Sequence, residues 1–236
     1  MDMKVIYVGL DVDDTQYHGS ALDKDTGEVI SFQCRPTLAG LLKQLAKLDQ
    51  VFPDSTLSLC YEASYIGYTL QRDLAKHGYH CDVVAPSSIP SPRGKQIKTD
   101  RIDAAQLAQF YANGLLTIVA IPEPEQEHDR DLLRSRKKLV DQRKELRTHI
   151  LSLLRRNGRH FQQETPNKAN WTMPHQYWLE KVVTTSSGSF AVNLSLLVRQ
   201  LKAVNGILTE YAQEIHAMAK TERYKRSVQA LTCYKG

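Results

Sequence analysis

The sequence predicts an α/β fold, a mixed five-stranded sheet with flanking helices, followed by a separate α-helical region. Two observations carry this prediction. Five short runs with strand composition occur before residue 85, and helical spacing of apolar residues follows the third, fourth and fifth of them. Beyond residue 122, apolar residues recur at steps of three and four, which is the spacing of packed helices.

The first three runs predict an antiparallel meander. Residues 4–11 form a nearly continuous apolar run, typical of a strand buried on both faces, and Asp11 closes it. Residues 17–22 and 28–32 indicate two further strands joined by a short polar turn. Beyond the end of the first strand lie Asp13 and Asp14, which we interpret as turn residues.

Helices and strands then alternate. Thr37 is a predicted N-cap, and the leucines that follow it lie on one face of a helix. Residues 55–61 form a fourth strand that ends at Glu62. The remaining expected elements are a helix from Tyr65 through Leu74 that ends at Gly78, and a fifth strand over residues 79–84.

A pair of carboxylates opens the next predicted helix. Thr99 or Asp100 can cap it, and Asp100 and Asp103, three residues apart, project from one face of its first turn. One interpretation is an ordinary helix start, because the helix dipole favours acidic side chains there. The other is a divalent cation, which would relieve the repulsion between the two carboxylates and use Asp11 and Glu62 as further oxygen ligands.

The segment before this helix, residues 85–98, is rich in proline, serine and positive charge and is expected to be an exposed loop. A plain connection between a strand and a helix is one interpretation. Three cations, Arg93, Lys95 and Lys98, directly precede the carboxylate pair. Such cations also suit a phosphate backbone held beside a metal site.

The element order of three antiparallel strands, helix, strand, helix, strand and helix is that of the ribonuclease H-like fold. Three sequence blocks make a resemblance specific: GLDV at 9–12, YEAS at 61–64 and KTDRIDA at 98–104. With these blocks at these spacings, the chain resembles the insertion-sequence-110 family of DEDD transposases, which includes the Piv-type DNA invertases. The resemblance runs from about residue 4 to the end of the chain.

The resemblance implies a RuvC-like DEDD domain over residues 1–121. In it, the catalytic carboxylates that hold Mg²⁺ at the DNA strand being cut correspond to Asp11, Glu62, Asp100 and Asp103. Oxygen ligands suit hard cations, and two Mg²⁺ ions can activate the attacking oxygen and stabilise the leaving oxygen. The expected activity is metal-dependent DNA strand cleavage and transfer by a transposase or site-specific recombinase.

Positive charge is concentrated in one predicted long helix, residues 126–157. Between residues 130 and 159 there are eleven Lys or Arg and three acids. This is a local excess of eight positive charges, whereas the net charge of the whole chain is +5. A solvated charged face is one interpretation, and nucleic-acid contact is the one that a single-sign excess favours. The candidate nucleic-acid-binding residues are Arg93, Lys95, Lys98 and Arg101, and, on the long helix, Arg134, Arg136, Lys137, Lys138, Arg143, Lys144, Arg147, Arg155 and Arg156.

The second long helix, residues 190–219, has a regular apolar seam that predicts a coiled coil. This seam pairs either with helix 126–157 of the same chain or with another subunit, and we expect both contacts to contribute to a homodimer or homotetramer. Between the two helices, Trp171, Tyr177 and Trp178 either stack on bases or pack in a core.

The composition indicates the cellular compartment and argues against two kinds of cysteine site. Four scattered cysteines without a C-x-x-C pair argue against a disulfide scaffold or a zinc site and fit a reducing cytosol. No apolar stretch approaches the length that spans a bilayer, so we expect a cytoplasmic protein without a membrane partner.

The predicted helical coiled-coil region covers residues 122–225, and residues 226–236 would begin the family's C-terminal transposase domain. Family members carry a nucleophilic serine there, and no serine of this chain matches it, so we expect an incomplete fragment. The resemblance also implies binding of DNA and of a structured guide RNA. Two alternatives remain: a self-sufficient Holliday-junction-type nuclease, and a non-catalytic oligomerisation or inhibitor module.

Overall fold

The computed structural model describes residues 4–89, 100–166 and 169–234, with the side chains of residues 88 and 100–103 outside this description. The chain divides into two compact units, Met1–Pro122 and Glu123–Gly236, called unit 1 and unit 2. Unit 1 contains the sheet, and unit 2 is helical in its described parts.

The sheet of unit 1 is mixed and five-stranded, as predicted. Its strand order is β3-β2-β1-β4-β5, with β1 in the centre. The first three strands form the antiparallel meander, whereas β4 and β5 continue parallel to β1. The strands are β1 (Lys4–Val12), β2 (Tyr17–Asp23), β3 (Val29–Cys34), β4 (Ser55–Glu62) and β5 (His80–Val84). This arrangement is the ribonuclease H-like α/β fold that the element order predicts.

Two helices, α1 (Leu38–Val51) and α2 (Thr69–Lys76), cover one face of the sheet. The buried even-numbered residues of β1, such as Val8 and Leu10, pack against their leucines in the main core. The predicted cap of α1 is confirmed, because the Thr37 hydroxyl accepts a hydrogen bond from the Gly40 amide at 3.1 Å.

The second helix begins later than predicted. The apolar pattern extends back to Tyr65, but Gly67 adopts a left-handed φ of +65°, which a helix interior does not accommodate. The backbone there is held by the buried Tyr61, whose hydroxyl donates to the Gly67 carbonyl oxygen at 2.8 Å. The predicted end at Gly78 is confirmed by its φ of +84°.

The third helix of unit 1, α3 (Asp100–Ala112), packs on the opposite face of the sheet. Its buried residues Ala104, Leu107 and Ala108 face the strands. A smaller core of Cys60, Val84 and Leu107 forms there. The sheet is therefore sandwiched between α1 and α2 on one face and α3 on the other.

Unit 2 contains α4 (Pro124–Arg156), α5 (Phe161–Glu164), α6 (Met173–Thr185), α7 (Gly188–Ala219) and α8 (Glu222–Thr232). Arg223, just after α7, forms an ion pair with Glu125 at the start of α4. The neighbouring Tyr224 hydroxyl donates to Asp129 at 2.8 Å. The end of α7 therefore lies beside the start of α4, and the two long helices run antiparallel.

The seam predicted on α7 packs largely within its own chain. Its first five positions are buried together with Leu146, Ile150, Leu153 and Leu154 of α4; these positions are Leu194, Leu197, Leu201, Val204 and Leu208. Further along α7, Tyr211, Ile215 and Met218 are half-buried. Of the two pairings that the pattern allowed, the contact with α4 is present, and pairing with a second subunit stays a prediction.

Helix α8 has no counterpart in the sequence-based expectation, and residue 226, where a third segment was expected to begin, lies inside it. In the described part of the chain, no helix is both long enough and apolar enough to cross a membrane.

Candidate functional site

Asp11 and Glu62 occupy matching positions on adjacent strands. The parallel pairing of β1 and β4 ends with Leu10 opposite Tyr61, and the two acids follow this pair directly. Neighbouring strands lie about 4.8 Å apart, so the two backbones are close enough for both carboxylates to bind one ion or one pair of ions. Asp11 is half-buried and Glu62 is exposed.

Both acids lie on the face of the sheet that α3 covers. Side chains alternate between faces, so Asp11 shares the face of Gly9, and Glu62 shares that of Cys60. Gly9 faces the α3 backbone, because a Cβ at this position would lie 2.3 Å from the Ala104 carbonyl oxygen. Cys60 packs against Leu107 of the same helix. Only a glycine permits this close approach of helix and strand.

The direction of α3 is fixed by contacts along its length. At its end, the Tyr111 ring meets Tyr7 edge-on at 5.7 Å, and the Lys24 amine donates to the Ala112 carbonyl oxygen at 2.7 Å. Its middle, at Ala104 and Ala108, lies over Gly9. Residue 7 of β1 thus contacts the last turn of α3, and residue 9, which is nearer the end of the strand, contacts earlier turns. The first turn, residues 100–103, is consequently directed toward the strand ends that carry Asp11 and Glu62.

The end of α3 is anchored by a polar cluster beneath it. The Tyr111 hydroxyl donates to the Asp82 carboxylate at 2.6 Å and lies 2.9 Å from the Ser58 hydroxyl. Burial raises the pKa of this phenol, and the acceptor Asp82 raises it further, so the hydroxyl stays protonated as a donor. The helix is therefore held at the end opposite to the acids.

Several predicted site residues lie outside the description. Arg93, Lys95, Lys98 and Thr99 precede residue 100, and the side chains of Asp100, Arg101 and Asp103 are not described. Among the described side chains, no group of three or more His, Cys, Asp or Glu residues forms a metal-binding cluster. The described part of the candidate site therefore consists of two carboxylates, whose hard oxygen donors suit Mg²⁺ or Mn²⁺.

Sequence reasoning missed a histidine beside these acids. In the antiparallel register of β1 and β2, His18 lies directly opposite Asp11, and Gln33 of β3 lies opposite His18. These residues and Glu62 form a row across four strands on the α3 face. The hairpin around residues 13–15 was the available signal, because an antiparallel turn brings residues on its two sides into register.

Asp13, one of the two acids that follow Asp11, is a turn residue, as interpreted from the sequence. The Asp13 carboxylate accepts hydrogen bonds from the Thr15 amide at 2.8 Å and from the Thr15 hydroxyl at 2.7 Å. These bonds lower the pKa of Asp13. The side chain is thus committed to the turn that follows β1.

The basic residues predicted on the long helix lie on α4, and most of them are exposed. Two of them are paired along the helix surface, Arg134 with Asp131 at 3.2 Å and Lys137 with Asp141 at 2.7 Å. Exposed pairs of this kind contribute about 0–1 kcal/mol. Within the described ranges, the cations of α4 that form no ion pair with an acidic side chain include the exposed Arg136, Lys138, Lys144, Arg155 and Arg156 and the half-buried Arg143 and Arg147.

The three aromatic residues singled out in the sequence lie in different environments. Trp178 is buried with Phe161 and Leu179 in the helical core, so it packs. Tyr177 is 64% exposed. Trp171 is half-buried, and its ring lies under the Arg147 guanidinium, with 5.1 Å from Cζ to the ring centroid.

Comparisons with known proteins agree with the predicted family. The family model DEDD_Tnp_IS110, described as a transposase, matches residues 8–157. The putative transposase y4qE of Sinorhizobium fredii is 37% identical over 59% of this chain and 34% of its own length. The transposase of insertion sequence element IS1533 from Leptospira borgpetersenii is 28% identical over 98% of this chain and 66% of its own length.

The chain thus spans between about a third and two thirds of the length of these curated relatives. Among solved structures, the large terminase nuclease from thermophilic phage G20c is similar over 47% of this chain and 56% of that chain, with a TM-score of 0.30 and 14% identity. The family model covers more than half of the chain and includes the second half of β1 and all of β4, α3 and α4. The chain belongs to the IS110 family of DEDD transposases.

Proposed function

We propose that unit 1 carries the metal-binding centre of a transposase or site-specific recombinase that cleaves and transfers DNA strands of an insertion sequence. The observation that supports this most is the placement of Asp11 and Glu62 at matching strand ends on one face of the sheet. The first turn of α3, which contains Asp100 and Asp103, is directed to the same place.

In this proposal, Asp11, Glu62, Asp100 and Asp103 hold Mg²⁺. When bound, the metal supplies activation of the attacking oxygen and stabilisation of the leaving oxygen in a phosphodiester displacement. Strands β1 and β4 hold two of the carboxylates on a rigid sheet, so their spacing is preset before the ion binds. Gly9 lets α3 approach closely enough to bring its first turn to the same edge.

The nucleic acid would be held by cations. In unit 2 we assign this contact to the cations of α4 named in the sequence analysis, and in unit 1 to Arg93, Lys95, Lys98 and Arg101, which precede or begin α3 in the sequence. These side chains offer positive charge for phosphates, and such contacts position a nucleic-acid backbone. The proposed partners are DNA and a structured guide RNA, and both present the same phosphate backbone.

A homo-oligomer is part of the proposal, because strand transfer requires two DNA partners to be held together. Helix α7 offers an apolar face for a second copy that is distinct from its seam with α4. On it, Val192 is 61%, Leu196 48% and Ile207 43% exposed.

The test is to replace Asp11 and Glu62 separately by the amide, Asp11→Asn and Glu62→Gln. Thermal unfolding is followed with increasing Mg²⁺, and cleavage of branched and linear DNA is followed in the same samples. An ion that binds only the folded protein raises the melting temperature, and we expect both variants to lose that rise. Asp13→Asn is the matched control, since it removes a carboxylate two residues away and keeps the turn-forming oxygen.

An equal Mg²⁺ response in Asp11→Asn and Asp13→Asn would contradict the metal site. DNA cleavage by this chain alone that disappears in Asp11→Asn would favour the self-sufficient nuclease. Nucleic-acid binding and a Mg²⁺ response without cleavage would support a chain that needs a further domain for strand transfer. Binding with no Mg²⁺ response would favour the non-catalytic module.

A further inference from the structure

Unit 2 contains a cavity with a cationic lining. Its volume is about 250 Å³, and α4 supplies Arg143, Lys144, Arg147 and Thr148 to its wall, while Trp171 lines it from the loop before α6. The Thr148 hydroxyl already donates to the Lys144 carbonyl oxygen at 3.0 Å. The cavity is therefore lined mainly by the three cations, whose N–H groups are hydrogen-bond donors, together with the Trp171 indole.

Arg147 is held in position on one side of this cavity. Its guanidinium lies over the Trp171 ring, with 5.1 Å from Cζ to the ring centroid, which is a cation–π contact. Its Nε atom is buried and has no hydrogen-bond partner among the described residues. Burial lowers the pKa of Arg147, and the neighbouring Arg143 lowers it further. Arg147 thus has unused hydrogen-bonding capacity in a site where its charge is destabilised.

The charge pattern along α4 changes at the cavity. In the first half of the helix, Arg134 and Lys137 each have an acid three or four residues away. At the cavity, Arg143 and Arg147 are four residues apart, a spacing at which like charges destabilise a helix. Within the described ranges, neither of them nor Lys144 forms an ion pair with an acidic side chain. An anionic ligand would relieve this repulsion.

The backbone conformation of Trp171 also favours a binding site for an anion at this cavity. Its φ is +67°, a left-handed conformation that bulky residues adopt rarely. On the side of the core, the ring meets the fully buried His175 at 4.9 Å. The strained backbone keeps the indole between the helical core and Arg147. Strain that persists in this way is concentrated at binding and catalytic sites.

We propose that this cavity binds a backbone phosphate of a non-duplex nucleic acid strand, with Arg143, Lys144 and Arg147 as its ligands and Trp171 as the support of Arg147. The inference rests on the proposed function, which supplies nucleic acid as the partner. The cavity is smaller than the roughly 300–1,000 Å³ of pockets that enclose whole small molecules, so it suits one phosphate and its sugar. A nucleotide of an unpaired strand can be splayed out of the stack, so that its sugar and phosphate can enter a concave site together.

The experiment measures binding of short labelled oligonucleotides to the full chain by fluorescence polarisation over a range of salt concentrations. The probes are single-stranded DNA, single-stranded RNA and duplex DNA. Arg147→Gln is compared with Arg199→Gln, which removes one exposed charge from α7, outside the cavity and outside the residues assigned to nucleic-acid contact. We expect Arg147→Gln to weaken single-strand binding about tenfold, the effect of losing charge-assisted hydrogen bonds, and Arg199→Gln to weaken it much less.

Tryptophan fluorescence gives a second readout, because Trp171 and Trp178 are the two tryptophans of the chain. Inorganic phosphate and the oligonucleotides should change the emission of Trp171, and Trp171→Phe should abolish that change. Trp178 remains in that variant and reports that the helical core is folded.

Equal losses in Arg147→Gln and Arg199→Gln, with normal binding by the parent chain, would overturn the phosphate site and leave the proposed function intact. Failure of the parent chain to bind any oligonucleotide would instead overturn the proposed function. Preference among single-stranded DNA and RNA identifies the source of the phosphate. An Arg147-dependent preference for duplex DNA would refute the non-duplex assignment.

Discussion

Gly9→Ala is expected to separate α3 from the sheet and so disturb the candidate metal site without touching any proposed ligand. A methyl group at this position would lie 2.3 Å from the Ala104 carbonyl oxygen and 2.5 Å from the Ala108 amide nitrogen. Both neighbours are backbone atoms of one helix, so no side-chain rotation can relieve the clash. The helix itself has to move.

The size of the movement follows from these distances. Ordinary contact with a Cβ begins at 3.4 Å, so the Ala104 oxygen has to retreat by about 1.1 Å. Overpacking of this kind costs about 1–3 kcal/mol of folding stability. The far end of α3 is fastened by Tyr111 and Lys24, so the displacement should fall mainly on its first turn. Loss of support for metal ligands typically lowers metal affinity about 10–100-fold.

The assay combines calorimetric unfolding with Mg²⁺ titration. Calorimetry is needed because both tryptophans lie in unit 2, so their fluorescence does not report on unit 1. Gly206→Ala is the matched control, since a Cβ at this α7 position meets nothing within 4 Å. Replacing a glycine inside a helix by alanine should stabilise the protein by up to about 1 kcal/mol.

A Gly9→Ala protein with the stability and Mg²⁺ affinity of the parent chain would refute the reasoning, because α3 would then not depend on the close approach at Gly9. Loss of stability with unchanged Mg²⁺ affinity would retain the packing argument and reject its link to the metal site. Loss of both in Gly9→Ala, with neither lost in Gly206→Ala, is the expected result.

Two further predictions concern unit 2. Burial lowers the pKa of His175 from 6.5 to about 4, so between these pH values the unfolded chain binds a proton that the folded chain does not. Stability should therefore fall by up to about 3 kcal/mol as the pH drops through this window. Urea unfolding followed by tryptophan fluorescence measures it, and a pH-independent midpoint, or one no less pH-dependent in His175→Met, would contradict it. Leu208→Asp should unfold unit 2, because it buries a charge in the α4–α7 seam, whereas the exposed Ile207→Asp should keep the fold and weaken any oligomer. Circular dichroism and light scattering distinguish these effects, and a folded, dissociated Leu208→Asp protein would place the seam between subunits.

Much of the fold was predictable because its signals are local. The apolar run that ends at Asp11 and the strand that ends at Glu62 follow from side-chain alternation and strand composition. The cap at Thr37 and the stop at Gly78 depend on a few neighbouring residues. The concentration of Lys and Arg in α4 is likewise a property of one segment.

The sequence by itself determined which residues end the central strands and which helix carries the positive charge. Only the tertiary structure decided that His18 lies opposite Asp11, that Gly9 meets the backbone of α3, and that Trp171 supports Arg147. It also decided that the α7 seam packs against α4 of the same chain. The physical reason is that strand register and helix packing depend on contacts between distant segments, whereas periodicity records only which face of an element is apolar.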